Sequence, residues 1–205
     1  MLIIKQKQKE ENLLKTGEKY LTLITIKHYH QPQEMYCVPT SVKMCIDYIK
    51  KTYNPKGLNN FSISKIAKIT ETKPLDGTPL AAVENINQHL TKTRPSIRFI
   101  YRQGSKPTDL EKELNQKQLP VIVYINPKEN HNAKIIHAVV IVGYDSATHT
   151  IYYDDPLEDN ETTAIQKLDI GTFNKCWGYE NRWIQITVGK NQVPLTEYTN
   201  EEIIK

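Results

Sequence analysis

The run Gln31-Pro-Gln-Glu-Met-Tyr-Cys37-Val-Pro39-Thr-Ser41-Val-Lys-Met44-Cys45-Ile46-Asp-Tyr48-Ile49 decides how the rest of the chain is read. It opens as a short loop with a glutamine six positions before a cysteine. From Cys37 onward the apolar residues Val42, Cys45, Ile46 and Ile49 recur at helical spacing, so the cysteine starts an amphipathic helix. Pro39 suits the first helical turn, where its missing N–H costs nothing. A helix N-terminus carries unpaired N–H groups and partial positive charge, which favour a thiolate over a thiol at that place. Gln31 could turn its side-chain amide back toward the sulfur and, with the Cys37 backbone N–H, make a two-donor oxyanion hole. Taken alone the spacing is weak, because a single cysteine early in such a helix is more often a small core residue.

A second stretch about a hundred residues on changes that balance. Ile135-Ile-His137-Ala-Val-Val-Ile-Val142-Gly143-Tyr144-Asp145 is a nearly unbroken apolar run with one imidazole near its start, and it reads as a buried strand. Asp145-Ser-Ala-Thr-His149 is a turn, and Thr150-Ile-Tyr-Tyr153 returns into Asp154-Asp155-Pro156. Two antiparallel strands joined by a short turn bring their far ends together, so His137 and Asp155 are expected as neighbours. A nucleophile, a base and a carboxylate that orients the base are the parts needed for nucleophilic acyl transfer.

The two stretches together resemble papain-like cysteine peptidases. Within that group they are most similar to the bacteriocin-processing, double-glycine leader peptidases and their stand-alone relatives. The pattern of a Gln, five residues and a Cys is met by Gln31 and Cys37. The pattern His-x-Val-Val-x-Val-Gly-Tyr-Asp followed by Asp-Pro is met from His137 and by Asp155-Pro156. Where the family often has Asp-Cys-Gly, this chain has Tyr36-Cys37-Val38. The resemblance implies an α+β fold of papain-like type, a helical lobe led by the Cys37 helix and an antiparallel sheet lobe carrying His137 and Asp155. It also implies a peptide or protein substrate with a small residue at the cleaved position. The same groups would serve another thiol acyltransferase or amidase of transglutaminase-like kind, and a non-catalytic peptide-binding module would keep the cleft.

Size and composition fit this reading. The chain has 205 residues, enough for one good core, with 39% hydrophobic and 24% charged residues. Its net charge of +4 is spread along the chain, so nucleic acid is not expected as a partner. The three cysteines, Cys37, Cys45 and Cys176, are expected as free thiols, since Cys37 and Cys45 stand two helical turns apart. They show no metal-ligand spacing, and His28-x-His30 lacks an adjacent third ligand, so neither metal nor cofactor is expected. No apolar run approaches a membrane span and the first residues lack a signal peptide's apolar centre, which makes the cytoplasm the expected location.

In chain order, residues 1–17 read as a polar arm, 18–188 as one domain and 189–205 as a polar tail. Residues 19–29 are strand-like. Ser62 caps a helix over 64–70, and Thr78 with Pro79 opens another over 80–91 whose buried stripe is Leu80, Val83, Ile86 and Leu90. A strand over 96–102, a helix from a Thr108/Glu111 capping box and a strand over 119–125 follow. The polar segment 126–134 directly before His137 is placed as a lid, with His131 as the rival base. After an acidic loop come a strand over 164–168, a short helix capped by Asp169 and a final strand over 183–188, with Trp177 and Trp183 as candidates to shield the His–Asp pair.

Overall fold

The computed structural model describes residues 21–126, 136–177 and 181–189. The polar arm, nearly all of the polar tail, and the segment proposed as a lid apart from Asn126, with His131, therefore lie outside the described residues.

Helix α1, Cys37–Tyr53, starts at the cysteine. Val38, Val42, Met44, Cys45, Ile46 and Ile49 are buried along it, so this helix is wrapped on most sides and forms the centre of the core. Its end is set by Asn54, which adopts the left-handed conformation (φ 41°) and returns its N–H to the Lys50 carbonyl. Lys50 and Lys51 in the last turn complement the negative end of the dipole. Two further helical segments complete this half. In α2, Ile63–Ile69, the Ser62 hydroxyl accepts from the Lys65 N–H at 3.2 Å.

The segment Leu80–His89 is a 3₁₀ helix and not the α-helix expected from its stripe. Steps of three between Leu80, Val83 and Ile86 suit three residues per turn as well as 3.6, and Val83, Ile86 and Leu90 are buried while Leu80 packs partly buried against them.

The other half is a seven-stranded antiparallel sheet in the order β2-β7-β3-β4-β5-β6, with β1 also paired to β4. The strands are β1 Leu21–Leu23, β2 Ile97–Arg102, β3 Val121–Ile125, β4 His137–Asp145, β5 Thr150–Asp154, β6 Ile165–Asp169 and β7 Trp183–Val188. Strand β3 covers β4 from His137 to Ile141, and β1 takes the same edge from Gly143 to Asp145. Only that short stretch of edge is open, so the strand expected over 19–29 is assigned for just three of the residues described; beyond it Ile24 donates one more bond to Val142 and the chain then runs irregularly to Cys37.

Helix α3, Pro107–Glu111, is capped at Lys106, two residues before the expected cap at Thr108. Pro107 takes the first helical position, so Asp109, not Glu111, reaches back to cap, accepting the Lys106 N–H at 2.8 Å. A π-helical turn, Lys112–Gln116, continues it. Helix α4, Ile170–Trp177, is preceded by Asp169, whose carboxylate accepts from the Thr172 N–H at 3.0 Å. These devices leave α1 packed on β4, the strand that starts with His137.

Candidate active site

Cys37 is the first residue of α1, so its N–H has no intrahelical acceptor and points out of the helix end. One turn on, the Ser41 hydroxyl donates to the Ala138 carbonyl at 3.4 Å, fixing this helix against β4 immediately beside His137. Cys37 lies near enough to His137 to act on its ring electrostatically, and the ring's Nε2 lies 2.6 Å from Asp155 Oδ1. With Nε2 committed to the carboxylate, Nδ1 is the nitrogen left for the sulfur. The hairpin of β4 and β5 supplies this meeting: Val140 pairs with Asp154, which sets Asp155 beside the start of β4.

The electrostatics follow from that geometry. Burial pulls the His137 ring toward its neutral form, but Asp155 and Cys37 outweigh it and raise the ring from 6.5 to about 9. Burial likewise pushes the Asp155 carboxyl up, while His137 and the Leu157 N–H (2.9 Å) bring it net below the usual carboxylate range. Tyr124 lies on β3 opposite Ala138, and its hydroxyl reaches the Leu80 carbonyl at 3.4 Å, bridging the sheet to the helical half. Burial, and then Cys37 nearby, push its phenol up, so it stays neutral beside the thiol. On the helical side the tight turn at Gly77 comes against Met35, two residues before the cysteine.

Gln31 is buried, and its backbone N–H donates to Pro156 at 2.8 Å, placing it beside the Asp155 turn. Both side-chain amide hydrogens are used within its own loop, on the Gln33 carbonyl at 2.9 Å and the Glu34 carbonyl at 2.6 Å. Its Oε1 is buried and unpartnered. The amide therefore rests against the loop, and service to an oxyanion requires it to let go of those carbonyls.

Three features escaped the sequence reading. The placement of Tyr124 near Cys37 and the Met35–Gly77 contact carry no local signal. The third is a second imidazole–carboxylate pair, His28 Nδ1 to Asp154 Oδ1 at 2.7 Å. Strand alternation was the available hint, since of two adjacent carboxylates at a strand end one must face inward. His28 is thus engaged by Asp154 and the Glu158 carbonyl, and His30 by Glu158 and Asp159. Among the described residues no group of three or more His, Cys, Asp or Glu could hold a metal ion, and no helix is long and apolar enough to cross a membrane. Trp177 is buried against Phe173 and donates its Nε1 hydrogen to the Arg182 carbonyl, while Trp183 is buried on β7.

Solved structures with this fold include peptidases. A Bacillus anthracis protein assigned as a C39-like peptidase superposes with a TM-score of 0.58 at 18% identity, covering 86% of this chain and all of its own. A double-glycine motif protease of an AMS/PCAT transporter, in complex with the leader peptide, gives 0.54 at 15% identity over 80% of this chain and 92% of its own. The Carica candamarcensis cysteine protease CMS1MS2, in complex with E-64, gives 0.53 at 12% identity over 82% and 95%. These likenesses establish a papain-like fold of helices packed on an antiparallel sheet. No curated protein matches. The profile of one family extends from residue 23 to residue 186, from the strand before the Gln31–Cys37 loop to the last strand of the sheet, and by that match the chain belongs to the Peptidase_C39 like family.

Proposed function

We propose that the chain is a cysteine peptidase that cuts a peptide or protein bond through a thioester at Cys37. The observation that carries this is the His137 ring, held between the Cys37 thiol and the Asp155 carboxylate and raised to about 9, so that it stays cationic beside the sulfur at neutral pH. The sulfur attacks the carbonyl carbon. The Cys37 N–H and a rotated Gln31 amide take up the charge on the oxygen. As the tetrahedral adduct collapses, the C–N bond breaks and His137 gives its proton to the departing amine. A water then adds to the thioester with His137 accepting its proton, the C–S bond breaks, the acid leaves, and the Cys37 thiolate is restored beside the His137 cation. Asp155 keeps Nε2 as a donor throughout, which leaves Nδ1 to exchange the proton.

Family membership supports the chemistry, and the leader peptide bound by the transporter-derived relative supports a peptide as the substrate class. The test is to incubate the purified full chain with a diverse peptide library and read new termini by mass spectrometry. Cuts that vanish in Cys37→Ala are expected. Intact peptides with amine cross-links formed in their place would assign the protein to another acyl transfer, and binding without turnover would make it a recognition module.

A further inference from the structure

His28 spends both ring nitrogens on the turn that carries Asp155. Nδ1 lies 2.7 Å from Asp154 Oδ1, immediately before that residue, and Nε2 lies 2.9 Å from the Glu158 carbonyl, three residues after it. A carbonyl only accepts, so Nε2 bears a hydrogen, and Nδ1 shares a second one with the carboxylate. The pair is withdrawn from water, with side chains 6% and 2% exposed. Between the two gripped residues the chain closes on itself, the Glu158 N–H bonding to the Asp155 carbonyl at 3.1 Å and the Leu157 N–H to Asp155 Oδ1 at 2.9 Å. The Gln31 N–H adds a third tether to Pro156.

A buried ion pair of this kind contributes little to stability beyond what an apolar pair of equal volume would give. Here burial, and then the second carboxylate of Asp155 next to it, disfavour the charge on Asp154. What it does supply is geometry. We propose that His28 is a positioning residue for the reaction: by bridging Asp154 and Glu158 it holds the Asp155 turn where the carboxylate can orient His137. The proposal rests on the peptidase reading for its kinetic consequence, and on the His137–Asp155 contact alone for its spectroscopic one.

The experiment compares His28→Ala, His28→Asn and His28→Gln in the full chain. The Asn amide reaches only toward Asp154 and the Gln amide only toward Glu158, so each keeps one side of the bridge. Turnover of the best-cut library peptide, normalised to sites titrated with iodoacetamide, is expected to show kcat at least about tenfold lower in the Ala variant with KM within about twofold, and Asn and Gln in between. The His137 ring, followed by NMR of labelled imidazole, is expected to titrate at least about one unit below its wild-type midpoint.

The sign of that change separates two causes. Around His28 and Asp154 the ionisable groups are the acidic Asp155, Glu161 and Cys45 thiol, and His30, which shares the Glu158 carbonyl with His28 and is the same in every variant. Losing the hydrogens that His28 turns toward Asp154 and Glu158, without moving Asp155, leaves the field more negative and drives the His137 midpoint up, whereas a displaced carboxylate brings it down. A midpoint that rises or stays, or an unchanged kcat per titrated site, overturns the proposal. If the Ala variant fails to fold, the Asn and Gln variants decide on the same criteria. If the wild type cuts no peptide, the peptidase reading falls, and the His137 midpoint still decides the positioning role.

Discussion

Asp155→Asn removes a charge and little else, because the amide keeps an oxygen for the Leu157 N–H and for His137 Nε2. The wild-type ring stands at about 9 against an ordinary 6.5, which is about 3.4 kcal/mol in favour of the imidazolium. Burial acts in the opposite sense, so Asp155 and Cys37 together contribute more than that net figure. If the carboxylate supplies even half, its loss lowers the midpoint by more than about one unit, or at least ~1.4 kcal/mol. The expected consequence at pH 7 is a fall in kcat/KM of about tenfold to a hundredfold, with about ten thousandfold as the ceiling known for a carboxylate-to-amide change at such a position. The assay pairs an NMR titration of the labelled His137 ring from pH 5 to 11 with the pH dependence of peptide cleavage. A midpoint still near 9 in Asp155→Asn would refute the reasoning, because it would mean that the carboxylate 2.6 Å away is not what holds the proton on the ring.

Iodoacetamide at mildly acidic pH should modify Cys37 alone and should modify nothing in Cys37→Ala, since Cys45 is fully buried and Cys176 nearly so; modification of Cys45 in the folded protein would contradict the assignment. Gln31→Ala should lower kcat by about a hundredfold to a thousandfold while KM changes little; an unchanged kcat would show that the amide never leaves the Gln33 and Glu34 carbonyls. Urea unfolding followed across pH should give greatest stability in the weakly acidic range. His137, raised above its unfolded value, contributes fully below pH 6.5 and loses that contribution as pH rises through about 9, while Asp155, held below 3.8, loses its own as pH falls; a curve flat from pH 6 to 9.5 would contradict the ring's assignment. Gly57→Ala should destabilise the fold by about 1 to 3 kcal/mol, because φ is +77° and an added Cβ would sit 2.6 Å from the Lys92 carbonyl oxygen; unchanged thermal unfolding would refute it.

The elements that could be read in the amino-acid order are those whose signal is local. The spacing of Val42, Cys45, Ile46 and Ile49 makes α1 visible, and Asp169 before Ile170–Trp177 announces its helix by a side chain that caps three residues on. The β4–β5 hairpin is equally legible, since an apolar strand, a turn and a returning strand leave one pairing that buries the run. Periodicity could not separate a 3₁₀ from an α-helix over Leu80–His89, because apolar steps of three serve both. Two overlapping x-x-acid spacings near Pro107 left the cap to be decided by where the proline's fixed φ falls. The short β1 reflects an edge of β4 already taken by β3, which no property of residues 19–29 encodes. At the site, Cys37, His137 and Asp155 could be proposed because their types are unusual where they stand. The resting direction of the Gln31 amide could not, as it depends on two carbonyls being turned toward it. Nor could the partner of His28, which lies 126 residues away in sequence.

That separation has a consequence in time. A ribosome adding about 5 to 20 residues per second needs roughly 6 to 25 s to go from residue 28 to residue 154. From residue 53 to residue 137, about two-thirds of that interval, the Cys37 helix has been synthesised and neither the His137 imidazole nor the Asp155 carboxylate has. On the peptidase reading, a newborn chain with this layout carries its own safety delay: the Cys37 sulfur stays idle beside the growing backbone until the hairpin from the far half has been synthesised and has brought His137 to it.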